Sequence, residues 1–345
     1  MVDGHPIPET RVLAVASHVV SGNVGNKIAV FVLQSLGCEV SALNTVQFSN
    51  HTGYGQWKGS KVSAEEIGEL YQGLKQSYLD EFHMMLTGYI PGAAAVNAVG
   101  DIARDLKSKA ESKPGSFFWV LDPVMGDNGR IYVAEDVVPA YRSLLPHADL
   151  VLPNQFEAEL LSEVKITNME TLKQAIQTIH ERFSVPHVII TSVNLEPPSS
   201  GFPTHLSVVG STMTSSRKAR LFKITFPAID CYFSGTGDMF GALTLVRMRE
   251  AVHATPGLDA VPSWVSDDSV DALDLPLARA AEKVLGSMHE VLSKTAGEMQ
   301  NALGSAVPDE AKEAKLAKSK AAELRLVRNL SCLRSPQTQF EAVRV

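Results

Sequence analysis

The chain has 345 residues, 45% of them apolar and 20% charged, with a formal net charge of −7. That apolar content sustains a large core and excludes wholesale disorder, while the acidic balance repels phosphate backbones and argues against nucleic-acid binding as the main task. The scattered Cys38, Cys231 and Cys332 exclude a disulfide framework or a zinc site and predict a reducing compartment; Met1–Thr10 lacks the apolar centre of a signal peptide, and no apolar run approaches the roughly 18 residues of a membrane span.

Short apolar runs alternate with helical patterns along most of the chain. Arg11–Ala16 reads as a buried strand, after about ten poorly ordered residues. Gly25–Leu36 has helical spacing at Ile28, Val32 and Leu36, with Gly37 as a natural C-cap. Cys38–Asn44 reads as the second strand and Ser63–Tyr78 as the second helix, with Ser63 and Glu66 as a capping box. Strands at Phe82–Leu86 and Phe117–Asp122 flank a helix at Ala93–Lys109. A short strand follows at Asp149–Leu152, then a helix opening near Asn154, a helix at Glu170–Phe183 and a strand at His187–Thr191. This alternation predicts an α/β three-layer sandwich, a mostly parallel central sheet covered by helices on both faces.

The pattern then changes. Thr204–Gly210 and Lys218–Thr225 flank a polar turn and predict an antiparallel hairpin. Gly241–Arg249 and Leu277–Leu303 read as helices. Between them Ala254–Leu275, rich in Pro and Asp, reads as a surface insertion rather than a linker, and Asp309–Arg328 as a helix with a solvated charged face in a helical tail running from about 309 to 345. No internal repeat is found, and the chain reads as a single domain.

Four segments carry chemistry, each following a predicted strand, where open α/β sheets bind ligands. Gly235-Thr236-Gly237-Asp238 sets glycine N–H groups at a helix start, suited to an anion, beside an Asp able to take a proton from a hydroxyl. The same residues also satisfy plain capping, with Thr236 as N-cap and Asp238 as a first-turn acid. The spacing is not that of a Walker A loop. Asp122-Pro123-Val124-Met125-Gly126-Asp127 offers oxygen ligands suited to Mg²⁺ and a phosphate, or a type I turn with solvated aspartates. Asn154–Glu159 offers a carboxylate for the same metal, or a polar first turn. Finally, Ser17-His18 and Gly22–Asn26 join a run from Asn44 to Tyr54 that holds Gln47, Asn50, His51 and Thr52 between Phe48 and Tyr54. Such polar groups at neighbouring strand ends suit a small polar ring.

The segments SHVVSGNVGNK, NTVQFSNHTGYGQWKG, LTGYI, DPVMGDNGRIYV, LPNQFEAELL, VIITS and GTGD follow one another in an order and spacing that resembles pyridoxal kinases of the ribokinase-like superfamily, and ELRLV near the C-terminus resembles the end of that family. The resemblance is good over about residues 11–250 and weaker beyond. GTGD marks only the superfamily; SNHTGY with NQFEAELL is more specific.

The resemblance implies ATP-dependent phosphorylation of the 5′-hydroxymethyl group of pyridoxal, pyridoxine and pyridoxamine, with Mg²⁺, in a cytoplasmic or also nuclear homodimer. It implies Asp238 as base, with the N–H groups of Gly235, Thr236 and Gly237 holding the γ-phosphoryl group. Asp122, Asp127 and Glu157 are implied at the metal. Asp122, Asn154, Glu157, Thr191, Ser192, Ile229, Asp230, Cys231 and Thr236 are implied at the nucleotide. Ser17, Thr52 and Tyr89 are implied at the pyridoxal ring beside Asp238, and Tyr132 on a lid. Three features depart from the family pattern: the short lid Asn128-Gly129-Arg130, the 254–275 insertion, and Leu152, which stands where a Thr commonly helps form a K⁺ site and so implies a weakened site. The alternatives are a kinase for another hydroxymethyl substrate, such as hydroxymethylpyrimidine, and a weakly active regulator that binds pyridoxal phosphate.

Overall fold

The computed structural model describes residues 7–195, 202–303 and 311–345. One sheet organises them. Six strands run parallel in its centre: β1 (Thr10–Val19), β2 (Cys38–Phe48), β4 (Met84–Thr87), β5 (Phe118–Leu121), β8 (Leu150–Val151) and β9 (His187–Val193). The antiparallel β3 (Gly59–Lys61) closes the edge beside β2, and β10 (His205–Met213), β11 (Ala219–Pro227) and β12 (Val343–Arg344) close the other. The order is β12-β11-β10-β9-β8-β5-β4-β1-β2-β3. A separate hairpin, β6 (Gly126–Asp127) with β7 (Arg130–Ile131), stands off the sheet.

Alternation along the strands builds two cores. Val12 and Ala14 of β1 and Phe118 and Val120 of β5 face one apolar layer, shared with α1 (Asn26–Ser35), α7 (Thr236–His253), α8 (Pro276–Leu303) and α10 (Leu330–Arg334). Their neighbours Leu13, Val15, Trp119 and Leu121 face the other, under α2 (Ala64–Gln76), α3 (Ala93–Lys109), α4 (Val137–Leu144), α5 (Gln155–Ser162) and α6 (Met169–Phe183). A one-residue slip of either strand would exchange the two sets, so the register is strongly specified. β2 and β4 lie on opposite sides of β1, so a topological switch point opens between β1 and β4, with a crevice at their C-terminal ends.

Several sequence expectations need correction. β2 runs on to Phe48, because Val46 and Phe48 pair with Lys61 and Gly59 across β3. Ser63 caps α2 by accepting a hydrogen bond from the Glu66 N–H at 3.1 Å, one arm of the expected box. The β10–β11 turn is tighter than the polar run suggested, since pairing continues to Met213 and Ala219. The helix expected at Gly241 already begins at Thr236. Of the first ten residues, 1–6 lie outside the described set; Ile7 is buried and Thr10 opens β1. The tail is not a continuous helix: α9 (Ala311–Ala321) gives way to a non-helical strap and α10, and β12 adds a strand beside Phe222 and Lys223. Asp309 lies outside the described residues.

The 254–275 segment is a packed strap rather than a surface insertion. Leu258, Trp264 and Leu275 are buried. The Trp264 ring stacks on Phe118 at 4.1 Å between centroids, the Arg249 guanidinium lies 5.3 Å from its centre, and its Nε1–H donates to the Gly115 carbonyl at 2.9 Å. Arg220 donates to the carbonyls of Ser266, Asp267 and Val270. Ser263 donates to buried Asp149, which also accepts from Lys107 and the Trp119 N–H. Trp264→Ala should therefore cost about 3–5 kcal/mol, through the cavity and the stranded Gly115 carbonyl. Urea denaturation checks this; because Trp264 packs at the start of β5, away from its C-terminal end, turnover by the folded fraction should be unchanged.

Candidate active site

The C-terminal ends of the parallel strands gather the candidate residues on one edge. Ser17 lies near the end of β1, Tyr89 just past β4, Asp122 after β5, Asn154 after β8 and Thr191 within β9. Helix α7 starts against the same edge, although it follows β11 in the chain. Its N-cap is Gly235, not Thr236, and no side chain caps it, while Asp238 does stand as an acid in the first turn. Gly235 has φ +85°, and a Cβ there would sit 2.3 Å from the Asn23 carbonyl oxygen. Only glycine fits, and the first-turn N–H groups are left free of a side-chain acceptor, facing outward as an anion site.

Asp238 projects from that first turn. Its Oδ2 accepts a hydrogen bond from the Gly25 N–H at 2.7 Å, across 213 residues of sequence. Gly25 adopts φ +56°, with a virtual Cβ only 2.0 Å from the Ser17 carbonyl oxygen. The loop after β1 is thus pressed onto β1 and delivers one N–H to the carboxylate. Burial pushes the Asp238 carboxyl up to about 6, and the Gly25 hydrogen bond offsets only part of that rise. A carboxylate in this range is a suitable base near neutral pH.

Asp122 faces the same space; its Oδ2 lies 3.6 Å from where a Cβ on Gly237 would stand. No described residue donates a hydrogen bond to its carboxylate. Burial, then the charges of Glu157 and Asp238, push its carboxyl well above the usual carboxylate range. An acceptor-only group turned toward other carboxylates fits a divalent cation that also takes waters and phosphate oxygens.

The expected three-carboxylate metal set is not formed. Glu157 spends its carboxylate on backbone: Oε1 accepts from the N–H groups of Met125 at 2.8 Å and Gly126 at 3.4 Å, and Oε2 from the Asn154 N–H at 3.0 Å. The last of these completes a capping box, since Asn154 Oδ1 accepts from the Glu157 N–H. Burial raises the Glu157 carboxyl against the pull of these N–H donors. Asp127 sits exposed on the β6–β7 hairpin, bonded to Asn128. Among the described residues no three His, Cys, Asp or Glu side chains converge as a metal cage.

Among the residues expected at the nucleotide, Asn154 bridges to Thr191 and its Nδ2 donates to the Gly126 carbonyl at 2.7 Å. Ser192 is exposed at φ +52°. Ile229, Asp230 and Cys231 form a tight turn ahead of α7, with Cys231 Sγ 3.3 Å from Met299 Sδ of α8. Across the crevice Thr52 is exposed in a short 3₁₀ turn, Thr52–Tyr54, and Tyr89 is half-buried with its carbonyl accepting from Thr45. Tyr132 is exposed beside the hairpin, whose turn at Asn128-Gly129 has positive φ at both residues. Leu152 packs in the apolar layer beneath α7, 3.7 Å from a virtual Cβ on Gly241, and its side chain supplies no oxygen.

Two contributors escaped the sequence reading: the Gly25 N–H, although the GNVG run flagged its loop, and Glu323 of the C-terminal strap, although ELRLV was noted.

A switch-point crevice with glycine N–H groups at a helix start and an adjacent half-buried carboxylate is an arrangement suited to a phosphotransferase of the ribokinase-like class. The family model described as phosphomethylpyrimidine kinase matches residues 80–255. A putative pyridoxal kinase of Schizosaccharomyces pombe is 38% identical over 333 residues, covering 96% of this chain and 97% of its own. The pyridoxal kinase of Ovis aries is 38% identical over 296 residues, covering 83% of this chain and 86% of its own. The structure of Leishmania donovani pyridoxal kinase with ADP and pyridoxamine superposes with a TM-score of 0.79 at 29% identity, over 98% of this chain and 100% of that one. The chain belongs to the pyridoxal kinase family.

The geometry makes Asp238 sensitive to acid. With its carboxyl pushed up to about 6 by burial, Asp238 is ionised above that pH and protonated below it, so a role as base would be lost in acid. The kcat/KM for phosphoryl transfer should fall about tenfold per unit below pH 6, and Asp238→Asn should lower kcat by about 10²–10⁴-fold. A pH–rate profile of both forms checks this: the acid limb should vanish in the Asn form.

Proposed function

We propose that this chain transfers the γ-phosphoryl group of ATP to the 5′-hydroxymethyl oxygen of pyridoxal, and of pyridoxine and pyridoxamine, as a B6-salvage kinase. The observation that carries the reading is the pairing of Asp238 with the Gly235–Gly237 anion hole, opposite a polar loop holding His51, Thr52 and Tyr54. In support, the Leishmania donovani enzyme has been solved with ADP and pyridoxamine or pyridoxine, and the Plasmodium falciparum enzyme with AMP-PNP and PL.

Asp238 accepts the hydroxyl proton as the oxygen attacks phosphorus. The N–H groups of Gly235, Thr236 and Gly237 hold the transferring group where charge spreads in the transition state, which is most of what phosphoryl transfer requires. Asp122 would hold Mg²⁺ together with phosphate oxygens and waters, and the bound cation would neutralise phosphate charge. Glu157 serves that site indirectly, by fixing the backbone at Met125, Gly126 and Asn154. Asn154, Thr191 and Ser192, with the 229–231 turn, border the nucleotide; Ser17, Thr52 and Tyr89 border the ring. A homodimer belongs to this reading and is read by light scattering.

A second reading has one specific support, the family model named for phosphomethylpyrimidine kinase. Its match at residues 80–255 covers the phosphate side but neither Ser17 nor the 51–54 turn, where the ring would bind. A coupled assay with the three vitamers beside hydroxymethylpyrimidine decides between them, with pyridoxal expected to give the highest kcat/KM. Ser17→Ala and Thr52→Ala should raise the pyridoxal KM about 2–10-fold, one hydrogen bond each, and leave the ATP KM nearly unchanged.

The buried Leu152 side chain offers no ligand to a hard monovalent cation. K⁺ activation should therefore be weak in this chain and stronger in Leu152→Thr. A KCl titration of kcat at constant ionic strength, with a tetramethylammonium control, measures it.

A further inference from the structure

The C-terminal strap reaches the vitamin side of the crevice. Ala322, Leu324 and Leu326 are buried and anchor it to the apolar layer, while the intervening Glu323 turns the other way. Glu323 Oε1 accepts from the Tyr54 hydroxyl at 3.0 Å and lies 3.1 Å from His51 Nε2; Oε2 accepts from the Asn23 N–H at 2.9 Å. The Asn23 side chain adds a hydrogen bond to the Leu324 carbonyl at 2.9 Å. A cavity of about 30 Å³ lies alongside, with His51, Ser234 and Glu323 among its walls.

We infer that Glu323 is a positioning residue for the vitamin, a carboxylate that holds the 51–54 turn to the 22–25 loop. This rests on the vitamer-kinase reading above. One of the two loops presents Thr52; the other delivers the Gly25 N–H to Asp238. Distant in sequence, they share this carboxylate as a common acceptor. An ionised carboxylate accepts only, so Tyr54, Asn23 and His51 must each turn a hydrogen toward it. In its neutral form the His51 ring then carries its hydrogen on Nε2. Nδ1, buried and without a partner, is left as an acceptor on the cavity side. Burial and the Glu323 charge push the Tyr54 phenol up to about 12, which keeps it a donor. Because the flanking leucines anchor the strap by themselves, Glu323 is not needed to dock it.

The test is steady-state kinetics on full-length wild type, Glu323→Ala, Glu323→Gln, Tyr54→Phe and the Glu323→Ala/Tyr54→Phe double variant, with equilibrium titration of pyridoxal in the absence of nucleotide. Glu323→Ala should raise the pyridoxal KM and Kd about 5–20-fold, since two or three hydrogen bonds to a charged group are lost, and lower kcat through the loosened 22–25 loop, while the ATP KM stays within about threefold. Glu323→Gln, isosteric and able to accept with one oxygen, should fall between, and it carries the test if the Ala variant folds poorly. Tyr54→Phe should add less than about twofold in the Glu323→Ala background, where its partner is already gone. A pyridoxal KM within twofold of wild type in both Glu323 variants overturns the inference. So does an equal rise in both substrates' KM values with a fall in Tm, which marks a general structural role. A wild-type chain that does not turn over pyridoxal overturns the kinase reading instead, so the two failures are distinct.

Discussion

The hydrogen bond from the Gly25 N–H to Asp238 Oδ2 joins the loop after the first strand to the start of a helix more than 200 residues later. It can form only because β1 lies inside the sheet, between β4 and β2, and α7 packs across that layer with its N-terminus at the carboxyl edge. Both loops had to yield side chains to meet: glycine at 25 against Ser17, glycine at 235 against Asn23. The same bond opposes desolvation at Asp238. Burial raises the carboxyl and one N–H lowers it, and the balance leaves a base that ionises near the pH where it must work.

The site handles anionic chemistry with few cations of its own. None of the residues assigned to it is Lys or Arg, and the chain as a whole carries a net charge of −7. In the proposed mechanism attraction for phosphate comes from oriented backbone N–H groups, whose dipoles are fixed by the fold and need no reorganisation during reaction. The carboxylates supply the opposite requirement. The charges of Glu157 and Asp238 raise the proton affinity of Asp122, and a cation held at Asp122 would relieve that repulsion.

Legibility in the sequence followed locality. Asp238 and its glycines were readable because anion site and base occupy four consecutive residues. The central strands were readable because both faces are buried, which leaves unbroken apolar runs such as Arg11–Ala16. β3, β7 and β12 were not, being two or three residues long, too short for a period to register. The brace that Glu157 provides was not readable, because a carboxylate after a strand suits a metal and a backbone brace equally, and only geometry shows which N–H groups are near. The 254–275 strap misled because its prolines and aspartates suggested a solvated segment, while three of its apolar side chains, Leu258, Trp264 and Leu275, are buried and decide where it lies. Glu323 was beyond reach because its partners lie about 270 to 300 residues away.

The β6–β7 hairpin above the phosphate side has little slack. Its strands pair Gly126 with Ile131 and Asp127 with Arg130, joined by a two-residue turn with both φ values positive, a shape that matches the twist of its strands and resists bending. Such a flap cannot curl over a ligand from its tip. Any displacement would turn the pair as one unit about its base, and on one side that base is the Met125–Gly126 backbone held by Glu157. If the hairpin serves as a lid, its stiffness would put the control of its position in a buried acid at its base rather than in the exposed residues at its tip.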